Sequence, residues 1–207
     1  MSFKRKIGIS VSAALIISII LSMFSFAETS EQVRRDVLRL HVLANSDSAA
    51  DQHLKLKVRD AVLAESPEIF DGSVDIENAV KRITPQLDNI KKTADKIIKE
   101  NGYDYSVRVI LSRDFFTTRT YDNVTLPAGR YLALRIVIGE GRGHNWWCVM
   151  FPPMCLPAAE KKDEIEKVLN GKETALVMKN PRYEIRFKVI EIYEQLKMKI
   201  EEKRKVN

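Results

Sequence analysis

The stretch Gly139-Glu-Gly-Arg-Gly-His-Asn-Trp-Trp-Cys-Val-Met-Phe-Pro-Pro-Met-Cys155 holds most of the chain's rare, chemically specific side chains. Both cysteines, both tryptophans and one of the three histidines fall inside it. Gly139, Gly141 and Gly143 leave a backbone free to take positive φ and to approach other groups closely. A thiol and an imidazole in one short segment admit nucleophilic catalysis, with Cys148 as nucleophile and His144 as base in a secreted thiol peptidase or amidase. That chemistry needs the base within hydrogen-bond reach and a third group to orient it, and no family-specific signature surrounds Cys148. The main reading is a disulfide between Cys148 and Cys155, turned by Pro152-Pro153, as exported cysteine pairs usually form. Trp146 and Trp147 are adjacent, so on an extended segment they point to opposite faces. An exposed Trp beside His144 and Asn145 is suited to anchor a protein interface, or to serve as a sugar or peptide platform in a cell-wall-binding module. The alternative is that both indoles are core.

Metal chemistry finds little support. His41, His53 and His144 carry no C-x-x-C or H-E-x-x-H spacing, so neither a metal nor a cofactor is expected. His41 lies in a predicted strand, as a structural residue, and His53 on a charged, solvated helix face.

The elements that position this stretch begin after residue 27. Lys4-Arg5-Lys6, the uncharged run from Ile7 to Phe24 and the small-residue site Ser25-Phe26-Ala27 have the pattern of a secretory signal peptide. The run is also long enough for an uncleaved membrane anchor. Residues 1–27 are therefore a signal or anchor, and 28–207 a single exported domain with a basic C-terminal tail. The net charge of +6 resides in the two ends, with Lys4, Arg5 and Lys6 at one and Lys197 to Asn207 at the other. The neutral middle excludes a nucleic-acid binder; peripheral membrane contact by the tail is a further option.

Val37 to Ala44 reads as a strand, and Asn45-Ser-Asp-Ser48 as a turn and cap before a helix from about Ala49, with Asp51 in its first turn. Its apolar stripe is Leu54, Val58, Ala61 and Val62, with Lys55, Lys57, Arg59 and Asp60 off it, and Ser66-Pro67 ends it. Helical spacing from Ile76 to Ile98 is interrupted at Pro85 and stopped at Asn101-Gly102. Tyr105 to Leu111 and Phe115 to Tyr121 read as two strands, and Arg130 to Ile138 as the most apolar one, central in its sheet and leading into the glycine loop. A helix over Glu160 to Leu169 ends at Asn170-Gly171, and Asn180-Pro181 starts a last helix facing inward with Phe187, Ile190, Tyr193, Leu196 and Ile200. The sum is an α+β domain with helices on a partly antiparallel sheet.

Two blocks of this chain resemble one family. Arg39-Leu-His-Val-Leu-Ala-Asn-Ser-Asp-Ser48 with Leu54-Lys-Leu-Lys-Val-Arg-Asp-Ala-Val62 is similar to the first block of stage II sporulation protein R. Leu126-Pro-Ala-Gly-Arg-Tyr-Leu-Ala-Leu-Arg-Ile-Val-Ile-Gly139, running into Gly143 to Cys155, is similar to the second. The resemblance implies a non-enzymatic signal of endospore-forming bacteria, exported from the forespore into the space between forespore and mother cell. Its implied partner is a membrane-embedded aspartic protease, stage II sporulation protein GA, which processes the sigma-E precursor, with no small-molecule substrate. On this reading His144, Asn145, Trp146 and Trp147 form the contact. Asn45, Ser46 and Asp47 either extend the same surface or only cap the next helix.

Overall fold

Leu38–Leu43 (β1) and Gly129–Ile138 (β5) are buried on both sides of the pleat over most of their length, as strands covered on both faces are, β1 presenting Leu38, Leu40 and Val42 to one side and Arg39, His41 and Leu43 to the other. They form the parallel centre of a four-stranded mixed sheet. The computed structural model describes residues 3–70, 72–121, 124–153, 165–178 and 184–206. Val107–Phe116 (β2) lies antiparallel outside β5, and Asn145–Phe151 (β6) antiparallel outside β1, giving the order β2-β5-β1-β6. A parallel pair needs a long crossover. The crossover contains α2 (Ala49–Phe70), α3 (Ile76–Ile83), α4 (Leu87–Glu100), β2 and a small hairpin of β3 (Arg119–Tyr121) with β4 (Val124–Leu126).

The pleat sorts side chains into two cores. Leu111, Leu134, Leu40 and Cys148 stand in one row across the four strands and pack with α2, α3 and α4. The opposite face is covered by the last turns of α1 (Phe3–Asp36), the β3-β4 hairpin, residues 165–169, α5 (Gly171–Val177) and the start of α6 (Glu184–Val206). Its rows are more polar: Ser112, Ala133, Arg39 and Val149 form one, and Ile110, Arg135, His41 and Trp147 the next.

Arg39 is wholly buried. Its Nε donates to the Cys148 carbonyl (3.2 Å) and its Nη2 to the Tyr121 hydroxyl (2.6 Å). The guanidinium lies 4.3 Å from the centre of Phe116 and 5.0 Å from that of Tyr131, an arrangement in which ring quadrupoles offset lost hydration. Burial still lowers its pKa, with the Tyr121 and Tyr131 oxygens opposing that shift. His41 Nδ1 meets Asp114 Oδ2 at 2.6 Å, and Arg135 reaches the same oxygen at 3.3 Å. These contacts hold the Asp114 carboxyl below its usual range despite the upward pull of burial.

α1 runs unbroken across the expected boundary at residue 27. Phe26, Ser30, Val33 and Arg34 are buried in the domain, and Phe26 meets Phe187 edge-on at 5.2 Å. Arg34 donates to the Ala128 carbonyl (3.0 Å) and bridges Glu31 (2.7 Å) and Glu194 (3.4 Å).

The α+β class, the break at Pro85, the stop at Gly102 and the central place of β5 agree with the sequence reading. Several boundaries differ. α2 passes Pro67 because Phe70, buried against Phe151 at 5.8 Å, secures the final turn. Phe115 and Phe116 belong to β2, whose polar run Ser112-Arg113-Asp114 is tolerated on an edge strand with Arg113 outward and Asp114 paired. Asn145–Phe151 is a strand rather than a loop. The helical residues 165–168 end before Asn170 as expected, but Asn170 also starts a new helix: its side chain accepts from Lys172 N and Glu173 N, while the Glu173 carboxylate accepts from Asn170 N in a capping box. α6 meets the domain through Phe187, Ile190 and Glu194, leaving Tyr193, Leu196 and Ile200 exposed. Cys155, Pro181 and the start of the Glu160 helix lie outside the described residues.

Ile136, fully buried at the centre of β5, should cost about 2–5 kcal/mol when changed to Ala. Ile110→Ala on the exposed side of β2 should cost under about 1 kcal/mol. Denaturant unfolding of the two variants checks the assignment of centre and edge.

Candidate functional site

Parallel pairing brings the carboxyl ends of β1 and β5 to the same edge of the sheet. Leu43 pairs with Val137, so two residues further on Asn45 comes level with Gly139. Asn45 Oδ1 accepts from Glu140 N at 3.0 Å. A Cβ on Gly139, where φ is +55°, would sit 2.3 Å from that oxygen. Gly143 N donates to Ala44 O (3.0 Å) and Arg142 N to Asn45 O (3.2 Å). A Cβ on Gly143 would lie 2.1 Å from the Ser46 carbonyl oxygen. Only glycine allows these two backbones to lie so close.

Side chains complete the clamp. Asp47 Oδ1 accepts from both the backbone N–H and the ring Nδ1 of His144, each at 2.5 Å. These bonds hold its carboxyl below the ordinary range. Ser48 caps α2, its hydroxyl accepting from Asp51 N at 3.1 Å. The buried Asp51 carboxylate accepts from Ser46 Oγ (2.5 Å) and Asn45 Nδ2 (3.0 Å). Burial pushes the Asp51 pKa up, but bonds from Ser46, Asn45 and the Tyr105 hydroxyl outweigh it, and the net shift is down. One turn further, buried Lys55 donates to the His144 carbonyl (2.8 Å) and to Gln52 Oε1 (2.5 Å), while Gln52 Nε2 donates to Ser46 O (2.9 Å). Burial lowers the Lys55 pKa.

Asn45, Asp47, His144 and Asn145 are therefore brought together, and Asn45 and Asp47 hold the glycine loop while Ser48 does the capping. Trp146 and Trp147 do face opposite ways. Trp146 packs on the α2 side with the Arg59 guanidinium 4.2 Å from its ring centre. Trp147 packs on the other face, 4.5 Å from Arg119 and 5.8 Å from Phe116. Both are half-buried, and neither indole N–H has a partner among the described residues. The most open side chain here is His144, 81 % exposed. His53 is exposed, as expected, and His41 is paired.

Lys55 was expected off the apolar stripe of α2, yet it is buried on it. The clue in the sequence is its position four residues after Asp51, one helical turn along the same face. His144 and Cys148 stand four residues apart on a nearly extended segment, about 13 Å along the chain, and Cys148 is buried. That spacing separates imidazole from sulfur. Among the described residues no cluster of His, Cys, Asp and Glu could hold a metal.

Fold and clamp define a class: an α+β domain, carrying an N-terminal helix long and apolar enough to cross a membrane, with a preformed polar surface where two loops lock together. Residues 34–161 match the family model of stage II sporulation protein R. The stage II sporulation protein R of Bacillus subtilis (strain 168) is 37 % identical over 147 residues, covering 69 % of this chain and 66 % of that protein, just under two thirds of its length. The chain belongs to the stage II sporulation protein R family. No solved structure matches it.

Gly143→Ala should destabilise by about 1–3 kcal/mol through the forced shift at Ser46. Gly171→Ala, with nothing near its Cβ, should be neutral or slightly stabilising; thermal melts compare them. Because the folded pKa of Asp51 is depressed, its contribution is complete above the unfolded value near pH 4 and is lost as pH falls through the folded one. Asp51→Asn should therefore show a flatter loss of stability below about pH 4 than the parent, read by unfolding at stepped pH.

Proposed function

We propose that this chain is an exported signalling protein of sporulation, acting by contact on a membrane-embedded aspartic protease, stage II sporulation protein GA, which then matures the sigma-E precursor. Family membership supports the sporulation role, and the apolar N-terminal helix is compatible with export from the forespore to the space between the two membranes. The single observation that carries the contact reading is the clamp itself. Asp47, Lys55 and the glycine-loop bonds hold exposed His144 and Asn145 in one arrangement before any partner arrives, so little ordering entropy remains to oppose binding.

An activator must bind the active state of its target more tightly than the resting state. His144 and Asn145 supply directional polar contacts, Asp47 the adjoining charge, and half-buried Trp146 and Trp147 the apolar flanks. A disulfide between Cys148 and Cys155 belongs to the same reading, closing the far end of β6. It is supported by the buried position of Cys148 and by the lack of a free cysteine among the described residues.

Co-expression with the protease and the sigma-E precursor, followed by precursor cleavage, tests the contact. His144→Ala and Asn145→Ala should each lower processing about tenfold or more if they are central to the interface, with unchanged melting of the purified domain. Wild-type processing by both, and by Trp147→Ala, would sink the proposal. Cys148→Ser and Cys155→Ser should each lose about 2–3 kcal/mol, as opening a short loop predicts, and loss confined to Cys148 would instead point to a reactive thiol.

A further inference from the structure

α6 carries two apolar stripes. Phe187 and Ile190 face the domain and are buried, with Glu194 beside them on Arg34. On the opposite side Val189, Ile192, Tyr193, Leu196 and Ile200 are each 46–58 % exposed. At 3.6 residues per turn these five fall within an arc of about 100°, the width of stripe that a helix buries against a neighbour. Half-exposed side chains of this size add up to an apolar patch of roughly several hundred Å², the scale at which an uncovered face marks a docking surface.

Charge and orientation narrow the occupant. From Lys197 to Asn207 the chain holds five basic residues against Glu201 and Glu202, a net +3, and Glu201 is turned back toward Arg130 of β5. Lys199 and Lys203, on the side of the stripe, are exposed and make no ion pair among the described residues. α6 runs alongside α1 in the same direction, Phe187 meeting Phe26 and Glu194 meeting Arg34. That sets Val189 level with Glu28, past the uncharged run of Ile7 to Ala27. With α1 across a bilayer the stripe therefore stands upright beyond the membrane surface, whereas a helix that binds lipid lies flat in the interface. A second copy held in the same membrane would pair its α6 in parallel and bring two basic ends together, which like-charge repulsion opposes.

We infer that the outward face of α6 docks an amphipathic helix with acidic flanks, supplied by another protein of the same membrane and standing alongside α6. The row from Val189 to Ile200 forms the apolar seam, in the manner of a helix laid against a hydrophobic face. Lys199 and Lys203 meet carboxylates on the flank of the incoming helix, which sets its register and excludes basic competitors.

The test uses the full chain in phosphatidylcholine nanodiscs and two dye-labelled synthetic helices with one leucine stripe, flanked by glutamates in the first and by lysines in the second. Fluorescence anisotropy, corrected for nanodiscs without protein, reads their binding. The glutamate-flanked helix should bind about tenfold tighter or more, and Ile192→Ser with Leu196→Ser should weaken it about tenfold, as loss of a seam's central anchors does. Lys199→Glu with Lys203→Glu should reverse the preference between the two helices. All four side chains are exposed, so these variants keep the fold, which unaltered melts verify. Equal affinity for the two helices, or binding indifferent to Ile192 and Leu196, would overturn the inference. So would sedimentation of the chain as a dimer that Leu196→Ser dissolves, which puts a second copy on the face. Quenching of a dye at Ile200→Cys by nitroxide-headgroup lipid would put the bilayer there and overturn it equally. None of these outcomes bears on the clamp, whose protease contact is read separately by precursor cleavage.

Discussion

The parallel register of β1 against β5 is the constraint on which the site depends. It sets Asn45 level with Gly139, and everything beyond follows from that alignment. The glycines are required because two backbones meet there with no room for a Cβ. Asp47 can reach His144, and Lys55 can reach the His144 carbonyl, only because the loop is drawn down onto the turn after β1. A slip of one residue would put the β5 side chains on the wrong face, and would also remove the seat for Asn45. Core packing and site geometry therefore enforce the same pairing.

The sheet's less apolar face shows how a charged residue can be kept in a core. Arg39 shares its row with Ser112 and Ala133, small enough to leave space for the guanidinium, and it is enclosed by Phe116, Tyr121 and Tyr131. Its bonds go to a carbonyl and a phenol, with no carboxylate among them. Lysine could not reproduce this, since its compact ammonium lacks both the planar face and the fork of donors. Because one bond runs to the Cys148 carbonyl and another to Tyr121, Arg39 ties β6 and the β3-β4 hairpin to β1.

What the sequence revealed and what it hid divides along physical lines. Periodicity located β1, β5 and α2 to α4, because their burial is uniform along a face. The clamp partners Asn45, Asp47 and His144 were legible as unusual residue types beside glycines. Lys55 was not, because charge predicts exposure until a buried carbonyl is found to receive it. β6 was hidden because an edge strand opening with Asn-Trp-Trp looks like a continuation of the glycine loop. Asn170-Gly171 is the stop that was expected, since the helical residues 165–168 end before it, but it is also a start, which only Glu173 of the capping box reveals. The exposed side of α6 was misjudged because Tyr193, Leu196 and Ile200 keep helical spacing on a face the domain does not cover.

Continuity of α1 from its apolar run into the body of the domain has a mechanical consequence. No hinge separates rod from body: Phe26, Val33 and Arg34 are fastened to α6 and β5 along the same helix that carries Ile7 to Phe24. With that helix upright in a bilayer, the domain can spin about the membrane normal but cannot nod. Search for a neighbour in the same membrane then reduces to two lateral coordinates and one azimuth, with the elevation of every surface residue preset by the number of turns between Phe24 and Asp36.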